Sequence, residues 1–334
     1  MPRPASILQC LTPIEIQEFL PGSSADEIRA LAPVLTTVDP TNLSHSAWRD
    51  LLFQRNPEVL VACWATPDLP PELPPALRYV CYFAGSIKRL VPREHIELGL
   101  IVTNWGNSIS RIVAEGALLH VLAGMRNFTH WTIAMHTQGA WKSRTSRSAS
   151  LFGRRVGIRG FGRVAHELIA LLRPFGCTIS VFAPDLTPAI AEQNGLRVAF
   201  DLNELMREND VVVELAPLIP ETRGSITKAH LELLRPGSVF VNVGRGATVD
   251  EQALLEVARG GQIFVGLDVF GEEPLPADSG FRNLPNVSLT PHLAGPTTDR
   301  RCDAGAFALK NLRAYAEDRP MESVITLPIY DRST

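Results

Sequence analysis

The stretch that most constrains this chain is residues 156–165, Val-Gly-Ile-Arg-Gly-Phe-Gly-Arg-Val-Ala. A short apolar run through Val156 and Ile158 enters Gly160-x-Gly162-x-x-Ala165, and a helical pattern follows in His166, Leu168, Ile169, Leu171 and Leu172. Gly160 permits a tight turn, Gly162 leaves no side chain between backbone and phosphate, and Ala165 lets helix and strand pack closely. Phe161, Arg163 and Val164 complete the turn and the first helical positions. The helix start then offers unpaired N–H groups and a partial positive charge to a pyrophosphate. Alone, a Gly-rich turn is a weak signal, because such turns are common.

At 334 residues the chain can bury a large core, and its length points to two domains. A net charge of −3 gives no electrostatic case for nucleic acid or an anionic membrane as partner. No apolar stretch is long enough to span a bilayer, and Met1-Pro2-Arg3-Pro4 leads into no secretory core. Cys10, Cys63, Cys81, Cys177 and Cys302 are scattered without a C-x-x-C pair, which fits reduced thiols better than a disulfide framework or a zinc site. No histidines stand at metal-ligand spacing, so no metal is assigned. The expected location is cytoplasmic.

Strand and helix patterns alternate along the chain. Residues 6–11, 59–64, 77–83 and 101–104 read as strands, 25–35 as a helix, and the Pro-rich 67–75 as a loop. Residues 110–128 read as one strong helix with Glu115 on a largely buried face, and the polar 137–150 as a loop. Beyond the glycine turn, strands at 178–182, 211–215, 238–243, 263–267 and 287–289 alternate with helices at 228–234 and 251–258. Asp201 and Glu204 form a capping-box pattern. A last helix, 301–315, is expected to return to the first domain. Such alternation implies an α/β fold of parallel, doubly wound sheets. Trp64, Trp105 and Trp141 read as packing residues, with Trp64 placed to border a substrate as well.

Four stretches in register resemble the D-isomer-specific 2-hydroxyacid dehydrogenase family, in particular its glyoxylate/hydroxypyruvate reductases. They are Gly160-Phe-Gly-Arg-Val-Ala165, Pro217-Leu-Ile-Pro-Glu-Thr-Arg-Gly224, Asn242-Val-Gly-Arg-Gly-Ala-Thr-Val-Asp-Glu251, and Leu267-Asp-Val-Phe-Gly-Glu-Glu-Pro-Leu275 running on to Pro285-Asn-Val and Leu289-Thr-Pro-His292-Leu-Ala-Gly295. Leu77-Arg-Tyr-Val, Ala84-Gly85, Ile101-Val-Thr-Asn104 and Val113-Ala-Glu115 also fit. The resemblance implies two Rossmann-like domains: a flavodoxin-like substrate domain at 1–108 plus 299–334, and a dinucleotide-binding domain at 109–298, with hinges near 105–110 and 296–300. It implies NAD(H), for which the departure at Ala183 described below leaves NADP(H) tolerated, a small 2-oxo or 2-hydroxy acid as substrate, and a homodimer built with the Val113-Ala-Glu115 helix. His292 matches the acid/base, Glu273 its carboxylate partner and Arg245 the substrate-binding arginine. These roles suit the residue types, since imidazole exchanges protons near neutrality and a guanidinium fork grips a carboxylate. Ala84, Gly85 and Ser86 match the second carboxylate clamp. Cofactor contacts fall on Gly160, Phe161, Gly162, Arg163, Val164, Asp185, Ala216, Pro217, Thr222, Val243, Gly244, Gly295 and Asp268, the last beside the nicotinamide carboxamide.

Taken singly, Arg245, Glu273 and His292 read as ordinary loop residues; jointly they follow strand C-terminal ends, where doubly wound sheets hold ligands. Several positions depart from the family pattern. The usual acid for the ribose hydroxyls falls on Ala183, with Asp185 two residues later. Either a shifted backbone brings Asp185 to the ribose, or the pocket lacks that charge and admits a 2′-phosphate. Lys88 stands where aspartate is frequent, Arg159 replaces an apolar residue, and Glu214 differs from the His or Asn common in its strand. Two rival readings share the fold: a dinucleotide-sensing corepressor-like protein, and a dehydrogenase for formate or another non-hydroxyacid donor.

Overall fold

The computed structural model describes residues 4–332. By contact the chain divides into two compact units, one running to Ile109 and resuming at Pro296, the other Ser110–Gly295.

The first unit holds β1 (Ser6–Cys10), β2 (Val34–Val38), β3 (Val59–Ala62), β4 (Tyr79–Tyr82) and β5 (Ile101–Thr103), in the order β2-β1-β3-β4-β5. All pairs are parallel. β3 and β4 are buried throughout, as unbroken apolar runs require. Helix Arg301–Ala316 packs onto this unit so closely that a Cβ at Gly305 would lie 1.6 Å from Phe19 O.

The expected helix at 25–35 is too long. It spans Ser24–Leu31, because Pro33 favours extended backbone at Ala32 (φ −136°, ψ 148°) and the chain goes directly into β2. Periodicity also misses the short helix Pro13–Phe19. Its signal lies in capping chemistry: Thr12 accepts from Glu15 N, and the Glu15 carboxylate accepts from Thr12 N at 2.8 Å.

The second unit holds β6 (Arg155–Arg159), β7 (Thr178–Phe182), β8 (Arg197–Val198), β9 (Val211–Glu214), β10 (Val239–Asn242), β11 (Phe264–Leu267) and β12 (Val287–Leu289). Their order is β12-β11-β10-β9-β6-β7-β8, all parallel. Alternate residues seal opposite faces. Val211, Val213 and Val241 pack with Val121, Ile158 and Leu168, while Val212, Phe240 and Val265 pack with Leu205, Leu254 and Phe281. The strand order reverses at β6, which puts the crevice of this sheet beyond the C-terminal ends of β6 and β9.

The helix expected over 110–128 ends at Arg126. Asn127 adopts a left-handed conformation (φ 51°), and a second helix, Phe128–Gln138, takes residues partly expected in a loop. Glu115 is exposed, not buried, because Ala114, Ala117 and Val121 form the inward stripe. Trp141 is 73% exposed and does not pack as a core residue.

Candidate active site

Gly160 leaves β6 with φ +99°, a conformation side chains rarely adopt, and a Cβ there would stand 2.8 Å from Leu215 O. Helix Arg163–Leu172 begins at Gly162 with no side chain capping its first N–H groups. A Cβ at Gly162 would meet nothing within 4 Å. An uncapped helix start over open space fits a phosphate, so the turn suits a dinucleotide. Phe161, Arg163 and Val164 lie in this turn and the first helical residues, with Arg163 exposed. Ala216 and Pro217 follow β9, and Val243 and Gly244 follow β10, at the same end of the sheet. Asp185 is exposed in the turn after β7, and Ala183 is half-buried. Thr222 turns into its own loop, donating to Pro217 O (2.5 Å) and accepting from Ile219 N (2.9 Å).

Arg245 follows β10. One N–H of its guanidinium donates to Gly244 O at 2.7 Å, and no carboxylate among the described residues lies within ion-pair distance. Burial pushes its pKa down, while Glu273 nearby opposes that shift. The remaining donors of the fork suit an incoming carboxylate. Glu273 accepts from Phe270 N through Oε1 (2.9 Å), and its Oε2 lies 2.7 Å from His292 Nδ1. That contact directs Nδ1–H at the carboxylate and leaves Nε2 to exchange a proton. The pair borders a cavity of about 580 Å³ lined also by Phe270, Leu275, Leu289 and Pro291.

His292 itself has φ 54°, unusual for a residue with a side chain. Asp268, 1% exposed, over-determines that geometry. Its backbone O accepts from His292 N (2.9 Å), Oδ1 from Thr290 Oγ1 (2.6 Å) and Leu293 N (2.7 Å), and Oδ2 from Ala294 N (2.9 Å). Through both carboxylate oxygens Asp268 thus anchors the 290–294 loop. Gly295 closes the unit just after it.

Periodicity passes over His120. On the buried face of the Ser110–Arg126 helix, its ring nitrogens stand 3.0 Å from Ser288 Oγ and 2.8 Å from Thr290 Oγ1. Gly266 makes room: a Cβ there would lie 2.6 Å from the His120 Cβ. A polar residue in the middle of an inward-facing apolar stripe was the available signal. Among the described residues no group of three or more His, Cys, Asp or Glu is placed to hold a metal ion.

In the first unit, Ala84, Gly85 and Ser86 follow β4. Gly85 O accepts from Asn104 Nδ2 at 2.7 Å, and the Trp105 ring lies where a Gly85 Cβ would be. Trp64 is 40% exposed and meets Trp105 edge-on at 6.1 Å. Lys88 stands over the Tyr330 ring, 5.7 Å from its centroid, as a surface contact within this unit.

The model of the D-isomer specific 2-hydroxyacid dehydrogenase NAD binding domain matches residues 118–294, more than half of the chain. The chain belongs to this family. NAD(H) is accordingly the cofactor. The chain is 31% identical over 233 residues to D-3-phosphoglycerate dehydrogenase of Methanocaldococcus jannaschii, covering 70% of this chain and 44% of that protein. It is 33% identical over 245 residues to the chloroplastic/mitochondrial formate dehydrogenase of Arabidopsis thaliana, covering 70% and 63%. The match thus spans about half the length of these curated relatives. Among solved structures, a glyoxylate reductase from Paecilomyes thermophila superposes with TM-score 0.79 at 21% identity, over 96% of this chain and 98% of that one. A 2-hydroxyacid dehydrogenase from Ketogulonicigenium vulgare superposes with TM-score 0.78 at 22% identity, over 98% and 99%. These two likenesses establish the shared fold.

Proposed function

We propose that the chain is an NAD(H)-dependent D-2-hydroxyacid dehydrogenase acting on a small 2-oxo or 2-hydroxy acid. The observation that carries the reading is the 2.7 Å contact between His292 and Glu273, with Arg245 close enough to Glu273 to feel its charge. When bound, the nicotinamide supplies the hydride that reaches C2 of the oxo acid. Arg245 holds the carboxylate and polarises the carbonyl, and His292 hands the proton on Nε2 to the carbonyl oxygen as negative charge develops there. Glu273 keeps the ring oriented and balances the cation that precedes transfer. Gly85 and Ser86, with Ala84, are assigned to a second carboxylate clamp through their backbone N–H groups.

Glyoxylate and hydroxypyruvate are the first substrates to try. Absorbance at the reduced-nicotinamide band, with these acids, 3-phosphohydroxypyruvate and formate in one panel, tests the reading. Turnover of a 2-oxo acid is expected; turnover of formate alone, or of nothing despite NADH binding, overturns it. With Ala183 at the usual acidic position and Asp185 exposed, NADP(H) should be used as well, at lower kcat/KM than NAD(H). A large NADP preference contradicts this.

Leu119, Phe128, Ile133, Met135 and Trp141 are exposed apolar residues on or just after the two helices of 110–138. They support a homodimer formed through these two helices. The five free cysteines are in keeping with a reducing compartment, the cytoplasm.

A further inference from the structure

Two residues that depart from the family pattern are partners. Arg159 ends β6 and Glu214 ends β9, opposite one another in the parallel register. Their side chains are 7% and 0% exposed, with Nη1 3.3 Å from Oε2. The same guanidinium donates through Nη2 to Ser225 Oγ (2.8 Å), and Ser225 donates to Thr222 O (2.6 Å), which ties it to the 217–225 loop. The other oxygen of Glu214 accepts from Ala216 N at 3.0 Å. The same loop is bonded to the turn after Arg245, Gly224 N donating to Ala247 O (2.9 Å) and Ile226 N to Thr248 O (3.2 Å), and the Thr248 hydroxyl donates to Arg245 O at 2.8 Å. One buried ion pair therefore joins the end of β6, next to Gly160, to the loop after β9 and, through that loop's bonds to residues 247 and 248, to the turn that carries Arg245.

We propose that the Arg159–Glu214 pair is a positioning device that locks the dinucleotide turn to the loop carrying Arg245, so that cofactor seating and the substrate arginine are set together. The proposal rests on the dehydrogenase reading above. Apolar residues of similar volume would serve stability as well as a buried pair does, so the pair is better explained by the arrangement it fixes. Burial holds the Glu214 pKa up to about 7, against the pull of Arg159. Arg159 is the charged group facing Glu214, and His230, lowered by burial and by Arg159, faces Arg159 in turn.

The test is NADH affinity by fluorescence titration at pH 6 and pH 8, with KM for a 2-oxo acid, in the unaltered chain, Glu214→Gln, and the double variant Arg159→Leu/Glu214→Leu. The unaltered chain should bind NADH several-fold more tightly at pH 8, where Glu214 is charged. Both variants should bind it roughly tenfold more weakly, the scale of a lost coupling, with the pH difference gone and the oxo-acid KM raised. The double variant leaves no orphaned charge in the core and carries the test if Glu214→Gln does not fold. Unchanged NADH affinity and pH dependence in a folded variant, whatever its Tm, overturns the proposal while leaving the dehydrogenase reading intact. Failure of the unaltered chain to bind NADH or NADPH removes both.

Discussion

At the scale of single residues, charge and burial conflict in two places, with opposite dependence on pH. Glu214 has a pKa raised from 4.5 to about 7 by burial, so between those values the folded chain holds more protons than the unfolded one. Its contribution to stability therefore falls as pH rises through that window, by about 3 kcal/mol at ~1.4 kcal/mol per unit. His120 is lowered from 6.5 by burial, with Asp268 opposing. Here the unfolded chain holds more protons, and stability is lost as pH falls below 6.5. Thermal melts should show Glu214→Gln gaining on the unaltered chain from pH 5 to pH 8, and His120→Asn gaining from pH 7 to pH 5. Parallel Tm curves would contradict both assignments. Neither pairing could be read in advance, because a polar side chain in an apolar run discloses nothing about its partner 55 or 168 positions away.

Among the elements, the β6–turn–helix unit was the most legible, since its glycines act through local geometry. Gly160 and Gly162 nevertheless answer to different constraints. Gly160→Ala must strain a φ of +99° and meet Leu215 O at 2.8 Å, so it should lower Tm and NADH affinity together. Gly162 has open space where its Cβ would go, so Gly162→Ala should keep Tm while weakening NADH binding. Equal Tm loss in both variants would contradict the distinction. Elements without a strong periodic stripe were poorly legible. β2 is half-exposed with two threonines, β8 has two residues, and Asn127 splits a helix by a left-handed backbone that apolar periodicity does not register.

For the whole molecule, parallel sheets were legible because strands sealed on both faces must be continuously apolar. The exposed residues on 110–138 were less so: Leu119 and Phe128 look like core residues in sequence, yet are 59% and 61% exposed. Light scattering should give a dimer for the unaltered chain and a monomer for Leu119→Glu/Phe128→Glu; a monomeric unaltered chain would contradict that interface. The account as a whole depends on proton transfer by His292. Its most direct test is the turnover of a 2-oxo acid at saturating NADH by His292→Gln, with the NADH dissociation constant measured in parallel. The account predicts turnover reduced by roughly 10²–10⁴-fold, the usual contribution of a general acid, with NADH affinity nearly unchanged. Turnover equal to that of the unaltered chain would contradict it.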